Sequence, residues 1–377
     1  MRIVQVAPFF HPHAGGVESY VRTLARQFAR DGHEVTVVTS RYDRHLPRES
    51  EMDGFRVLRS RTLGVLFNTP IDIGVGRVVR ELAADVIHLH YPPPLTAFFA
   101  TQALAATKAP VVLTYHCDLF LTGGLGRLIA TTYERAFLPP TLARVDRIVV
   151  HTRSYGTTSA MLRGRELEII PSVVDLDRFR PGVDASGLRR ALRLEGRRVV
   201  AFTGRLVPHK GVDVLLQALR ELPSDVALLI VGSGPRLVDL VGLARRVGVE
   251  ERVRFCPRVS DEELPRHLAL ADVFAFPSQN RLEGFGLAVA EAMASGLPVV
   301  ISDVPGVREV IEDGKEGLLV EPLLASDLAR KVGILLDDRQ LARTMGAAAR
   351  QRAEARYGLR TVTGQLLRLY EDLIAAG

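Results

Sequence analysis

Val273-Phe-Ala-Phe276-Pro-Ser278-Gln-Asn-Arg-Leu-Glu283-Gly284-Phe-Gly286-Leu-Ala-Val-Ala-Glu291-Ala-Met-Ala-Ser-Gly296-Leu-Pro-Val-Val300-Ile301 reads as strand, loop, helix and strand in a single sweep. The runs Val273–Phe276 and Val299–Ile301 are short and wholly apolar, the mark of strands covered on both faces. Between them, Gly284 and Gly286 open a helix. A helix start carries unpaired N–H groups and partial positive charge, and glycines there let a ligand approach the backbone, so the loop suits a phosphate. Glu283 and Glu291 flank that helix start. If both were helical they would lie about 12 Å apart along the axis, beyond the roughly 5 to 9.5 Å separations of glycosidase carboxyl pairs. Their roles are therefore separate.

The same unit recurs along all 377 residues. Apolar runs at Ile3–Val6, Val35–Val38, Val86–Leu89, Val111–Tyr115 and Ile148–Val150 precede a second series at Val199–Phe202, Ala227–Val231, Val253–Phe255, Val273–Phe276 and Val299–Ile301. Strands alternating with helical patterns predict two doubly wound α/β domains with parallel sheets. Between the series, Ile169-Ile-Pro-Ser-Val-Val-Asp175 and Pro181-Gly182 interrupt the pattern, and a charged helix over Gly187–Leu194 leads back into it. The expected domains are residues 1–176 and 177–358. Ligands of such sheets bind beyond the strands' carboxyl ends, which places the expected site in a cleft between facing domains.

Composition narrows the function. With 47% hydrophobic and 24% charged residues the chain is an ordinary globular one. No run of 18 apolar residues exists, and the apolar N-terminus reads as a first strand, so a cytoplasmic location is expected. A net charge of +6, spread over both halves, leaves no nucleic-acid footprint. Cys117 and Cys256 match no metal spacing. Asp175-Leu-Asp177 imitates a metal-binding Asp-x-Asp but sits beside a proline-flanked linker, and His88-Leu-His90 shows two imidazoles on one strand face with no third ligand spaced nearby.

The other informative segments follow strands. His11-Pro-His-Ala-Gly15-Gly16-Val-Glu-Ser-Tyr20 is a glycine-rich turn that either cradles a phosphate or only turns tightly into a helix through Val21, Leu24, Ala25 and Phe28. His116 ends the strand Val111–Tyr115. After Val199–Thr203 comes Gly204-Arg205-Leu-Val-Pro-His-Lys210-Gly211, in which a forked guanidinium and a point-like ammonium share a loop able to flank a diphosphate. Gly232-Ser-Gly234-Pro follows the next strand and is half of a dinucleotide fingerprint. Lysine is scarce, four against 45 arginines, so Lys210 stands out.

Taken together, Gly204-Arg205…Lys210-Gly211, Gly232-x-Gly234-Pro, the Glu283-x7-Glu291 segment, the Ala14-Gly-Gly-Val-Glu loop and Val174-Asp-Leu-Asp-Arg-Phe179 resemble a GT-B fold glycosyltransferase of family 4, a retaining, nucleotide-sugar-dependent group. The resemblance covers nearly the whole chain. It implies a donor-binding C-terminal domain, an acceptor-binding N-terminal domain, and a last helix, here Leu359–Ala375, that crosses back so that 359–377 belongs with the first domain. It implies that Arg205 and Lys210 hold the diphosphate, with Gly204 in their loop. Glu291 would meet the ribose hydroxyls, and Glu283 with the N–H groups of Phe285, Gly286 and Leu287 the sugar and phosphate. Arg258 and Val259 would face the base, Gly15 and Gly16 close over the phosphates, Gly232 and Gly234 line the donor, and His116 touch the sugar. The reaction implied is a front-face displacement that needs no metal or cofactor, from a nucleotide-diphosphate sugar, GDP-mannose before UDP-glucose, to a lipid-linked or cell-envelope glycan. A soluble acceptor, a nucleotide-sugar epimerase and a non-catalytic sensor are the alternatives; a Schiff-base phosphorylase is disfavoured because Lys315 lies in a Glu-Asp-Gly-Lys turn. The chain departs from the family pattern at Pro171-Ser-Val-Val-Asp175 and at Phe255-Cys-Pro257. Residues 125–144 mix arginines with Leu128, Ile129, Tyr133 and Phe137 and suit either a helix packed on the sheet or contact with the inner face of the plasma membrane.

Overall fold

The computed structural model describes residues 1–377 apart from Ala14, Phe67, Asn68, Ala105, Ala106, Phe120, Leu121 and Thr122, and describes Gly123, Leu125 and Arg127 by their backbone alone. The chain divides into two compact units. One comprises Met1–Val173 with Leu359–Gly377, the other Val174–Gly358.

In the first unit eight strands form one sheet in the spatial order Leu167–Ile169, Arg147–Val150, Val111–Tyr115, Val86–Tyr91, Arg2–Ala7, Glu34–Arg41, Phe55–Arg61 and Glu49–Met52. All neighbours are parallel except the last pair. Because successive side chains alternate between faces, Val86–Tyr91 sends Ile87, Leu89 and Tyr91 to one core. His88 and His90 go to the other, beneath the helix Gly16–Arg30 and the C-terminal helix. The helix Gly16–Arg30 buries Tyr20, Val21, Leu24, Ala25 and Phe28 in one stripe, as its spacing predicts. The last helix, Leu359–Ala376, buries Val362, Thr363, Leu366 and Tyr370 on the same side of the sheet. It is thus part of the first unit's core.

The second unit carries six parallel strands in the order Val253–Cys256, Val226–Val231, Arg198–Thr203, Val273–Phe276, Val299–Ser302 and Gly317–Val320. Strand Val226–Val231 is buried at every position, which is why its sequence shows no alternation. All ten apolar runs singled out in the sequence are strands. The strands that the pattern misses lie at or near sheet edges: Phe55–Arg61 interleaves arginines, while Leu167–Ile169 and Gly317–Val320 are only three and four residues long. The helix expected over Gly187–Leu194 runs over Ser186–Ala191 instead, and Arg193 beyond it turns left-handed with φ 54°.

Residues 125–144 lie within and just beyond a helix, Gly123–Leu142. Tyr133 and Phe137 stack edge to face, Phe137 also meets Phe98, and Ala130, Glu134, Leu138 and Leu142 are buried. Leu128 is exposed, as are Arg135 and Arg144. Most of the segment's apolar side chains therefore face the protein. Among the described residues no helix is long and apolar enough to cross a membrane.

Candidate active site

At the carboxyl end of the second sheet, loops from adjacent strands rest on one another backbone to backbone. Gly232 follows Val226–Val231 with φ 134°, and a Cβ there would lie 2.1 Å from the carbonyl oxygen of Gly204, which follows the neighbouring strand. A Cβ on Gly234 would lie 2.4 Å from the Leu206 carbonyl oxygen, and the Leu206 N–H donates to the Ser233 carbonyl at 2.8 Å. On the other side, Gly211 sits with φ 70°, and a Cβ would lie 1.9 Å from the carbonyl oxygen of Pro277. Gln279 N–H donates to the His209 carbonyl at 2.7 Å and the buried Ser278 hydroxyl joins it. The glycines of the Gly204–Gly211 loop and of the half fingerprint Gly232-Ser-Gly234 thus let three loops approach to the spacing of the strands beneath them.

That contact sets Lys210 against Glu283. The two side chains form an ion pair although 73 residues separate them, and both are largely buried. Lys210 comes from the short 3-10 turn Pro208–Lys210, and its ammonium lies 4.7 Å from the centre of the Phe276 ring. Glu283 also accepts the Gly286 N–H at 3.2 Å, so one carboxylate spans the lysine and the start of the helix Leu287–Ala294. Gly286 caps that helix with φ 83°. Glu283 itself is outside the helix, so the separation expected of two helical carboxylates does not apply. Arg205, on the same loop as Lys210, is exposed. His209 is turned inward, and burial together with the neighbouring Lys210 lowers its pKa.

The remaining expected residues fall into two groups. Phe285 is buried with its ring edge-on to Tyr357, so it offers the site its backbone and not its side chain. Leu287 begins the helix, and Arg258 and Val259 follow the edge strand Val253–Cys256, Arg258 exposed. Glu291 points from the middle of the helix. Burial pushes its carboxyl up to about 7, with Arg178 pulling the other way and Asp261 adding to the rise. Asp175 of the Asp-x-Asp pair accepts N–H bonds from Asp177 and Arg178, as a turn residue does.

A raised carboxyl pKa has a definite sign. The folded state binds the Glu291 proton more tightly than the unfolded chain, so its contribution is favourable below about pH 4.5 and is lost as pH rises toward 7. Glu291→Gln is accordingly expected to raise the apoprotein's Tm at pH 8, by roughly 2–4 °C for about 1 kcal/mol, and to leave it unchanged at pH 4.5. Thermal unfolding at the two pH values checks this, and an equal shift at both would contradict it.

In the first unit, Gly15 caps the helix Gly16–Arg30 in extended conformation, a Cβ on it would meet the Glu18 carboxylate at 2.2 Å, and Glu18 binds His13 at 2.8 Å. Gly16 has open space around it. Ala14 of the same loop lies outside the described residues. His116 is one link in a line of imidazoles. His90 Nδ1 meets His116 Nε2 at 3.2 Å, His116 Nδ1 meets His151 Nε2 at 3.0 Å, and His151 Nδ1 meets the Ile170 carbonyl at 3.1 Å. His88 instead joins Thr114 and the Tyr370 hydroxyl. The strand register brings them together: Tyr115 lies beside Val150, so the next residues, His116 and His151, are neighbours. Burial lowers all four imidazoles, His88 to about 3 and His151 to about 4. Sequence spacing offers His88 and His90 no third ligand; in the fold two more histidines do approach, but in line and not around a point. Among the described residues no group of three or more His, Cys, Asp or Glu is arranged to hold a metal.

Comparison with known proteins gives the family. The Glycosyl transferases group 1 profile matches residues 187–352, and the Glycosyltransferase Family 4 profile matches residues 14–178. The chain is 32% identical to the GDP-mannose-dependent alpha-(1-6)-phosphatidylinositol monomannoside mannosyltransferase of Mycobacterium tuberculosis, over 97% of each chain. It belongs to glycosyltransferase family 4. It is also 31% identical to the D-inositol 3-phosphate glycosyltransferase of Nocardia farcinica, over 92% of this chain and 83% of that one. Among solved structures, sucrose-phosphate synthase from Thermosynechococcus elongatus superposes with a TM-score of 0.84 at 25% identity over 100% of both chains. The fold is GT-B, and the family member is a glycosyltransferase of the hexosyltransferase class.

Proposed function

We propose that this glycosyltransferase moves mannose, with retention, from GDP-mannose to a hydroxyl of a lipid-linked glycan related to phosphatidylinositol mannoside. The observation that carries the donor half is the Lys210–Glu283 pair at the start of the helix Leu287–Ala294, beside the exposed Arg205. Support for the lipid acceptor comes from the mycobacterial relative. In this reading Arg205 and Lys210 take the diphosphate and stabilise its growing charge as the glycosidic bond lengthens. Glu283 and the N–H groups of Phe285, Gly286 and Leu287 orient the sugar and the phosphate next to it. Glu291 accepts from the ribose hydroxyls, Arg258 and Val259 face the base, Gly15 and Gly16 close the phosphate side, and His116 borders the sugar. Gly204, Gly232 and Gly234 keep the donor loops in place. The departing phosphate oxygen receives the acceptor hydroxyl's proton on the same face, so the protein supplies position and charge, with no nucleophile of its own.

The domain roles follow: residues 1–176 with 359–377 for the acceptor, 177–358 for the donor. A soluble acceptor is the second reading, favoured by the similarity to D-inositol 3-phosphate glycosyltransferase.

A thermal-shift panel of GDP, UDP and ADP is expected to show stabilisation by GDP well above the other two; stabilisation by UDP alone would overturn the donor assignment. Incubation with labelled GDP-mannose and phosphatidylinositol mannoside in detergent micelles separates the rest. Label in the lipid extract supports the proposal, label transferred to inositol phosphate supports the soluble acceptor, free labelled sugar an epimerase or hydrolase, and unconverted donor a sensor.

A further inference from the structure

We infer that His90, His116 and His151 form a one-directional chain of neutral imidazoles in which His90 and His151 act as positioning residues, fixing the tautomer and orientation of the His116 ring. The direction follows from the chain's end. A backbone carbonyl only accepts, so His151 Nδ1 carries the proton given to Ile170 at 3.1 Å. In a neutral ring its Nε2 then accepts, and the hydrogen on the 3.0 Å contact belongs to His116 Nδ1. His116 Nε2 accepts in turn, so the hydrogen on the 3.2 Å contact belongs to His90 Nδ1. His90 Nε2 is left as an acceptor, 2.8 Å from the Gln5 side-chain amide.

Gln5 settles between two proton counts. With its oxygen toward His90, the Gln5 NH2 is a buried donor without a partner, and His90 must donate from Nε2. The four contacts then need four hydrogens on three rings, so one of His90, His116 and His151 becomes doubly protonated and charged. With the amide's oxygen and nitrogen exchanged, Gln5 donates to His90, all three rings are neutral, and an unpaired buried donor becomes an unpaired acceptor, the cheaper of the two. The surroundings favour the neutral form. Gln5 and His90 are buried, the Tyr20 ring stands edge-on to all three imidazoles at 5.1 to 5.8 Å, and among the described contacts the other titratable groups facing them are His88 and, beyond it, Tyr370 of the last helix. Burial lowers the pKa of all three rings.

The consequence for the reaction rests on the proposed contact of His116 with the donor sugar. Both His116 nitrogens are committed to other histidines, so the ring neither gives nor takes a proton during transfer. It presents an uncharged edge and its backbone to the sugar, at an angle set by the chain, beside a centre that becomes cationic. A charged imidazole there would oppose that centre.

Two measurements on the full-length protein test this. In long-range 1H–15N spectra of 15N-histidine-labelled enzyme, His90, His116 and His151 are expected to show protonated Nδ1 and bare Nε2, unchanged between pH 5.5 and 8. An Nε2–H tautomer or a doubly protonated ring at any of the three would overturn the inference. His90→Asn keeps a donor near the Nδ1 position and His90→Leu does not. His90→Leu is expected to raise KM for GDP-mannose about tenfold, roughly 1.4 kcal/mol, with kcat changed less, and His90→Asn to recover most of it. Equal KM values in the two variants, or no change in either, would overturn the positioning role. If His90→Leu does not fold, the spectra of the native enzyme still decide. Failure of the whole donor assignment is recognised separately, by full activity after loss of Arg205 or Lys210.

Discussion

Lys210→Ala and Arg205→Ala are each expected to lower turnover by about 10²- to 10³-fold, the usual loss on removing one preorganised donor from a developing anion. The two act on the same diphosphate, so the double variant should lose less than the product of the single losses. The fold should survive. Arg205 is exposed, and although Lys210 and Glu283 are largely buried, each side chain keeps about 15% of its exposure, so water reaches the charge left behind. Glu283→Gln is the informative partner. It keeps an acceptor for the Gly286 N–H, which Glu283 binds at 3.2 Å, but leaves Lys210 without its counter-charge. Diphosphate affinity should then hold or rise while turnover falls, because the lysine is less well aimed. Single-turnover rates with labelled donor, alongside circular dichroism and Tm, separate lost chemistry from lost structure. Near-native rates in Lys210→Ala and Arg205→Ala would sink the donor site altogether.

Gly211→Ala should be among the most destabilising single changes in the second unit. A left-handed φ costs an alanine about 1–2 kcal/mol, and here the new Cβ would also lie 1.9 Å from the Pro277 carbonyl oxygen. Backbone must move, and with it the loop that carries Lys210 past the loop that carries Glu283. Gly248→Ala is the matched control, since Gly248 has a similar φ of 73° with nothing within 4 Å. The expected loss is about 3 kcal/mol or more at Gly211 against 1–2 at Gly248, or roughly 6–12 °C against 2–8 °C in Tm. Donor binding should weaken only in the first. Equal losses would mean that the loops are not held by close approach.

This contrast also explains how far the sequence could be read. Strands such as Val226–Val231 announce themselves because both faces are covered, whereas Phe55–Arg61, with three arginines among seven residues, resembles a loop until its neighbours are known. Arg205, Lys210 and Glu283 were visible as chemistry in loops after strands, and Glu291 as chemistry on the helix that follows one of those loops. That Lys210 would pair with Glu283 was not, because it depends on Arg198–Thr203 lying beside Val273–Phe276 in the sheet, and strand order is a long-range property. The histidine chain was hidden for the same reason: Gln5, His90, His116 and His151 lie in or directly after four strands that become neighbours only in the folded sheet. One signal was available. His116 and His151 each stand directly after an apolar run, an echo that marks both as rim residues of parallel strands.

The helix Leu359–Ala376 has a consequence for how the chain is made. Its Val362, Leu366 and Tyr370 complete the core of a unit whose other residues end at Val173, and the Tyr370 hydroxyl bonds His88, 282 residues earlier. The intervening unit, Val174–Gly358, is continuous and closes on itself where Val174 N–H donates to the Tyr357 carbonyl. During synthesis the second unit therefore has everything it needs first. The N-terminal sheet emerges with one face covered only in part, by the helix Gly16–Arg30, and stays so until the helix Leu359–Ala376 leaves the ribosome, so the earlier half of the sequence is the later half to finish folding.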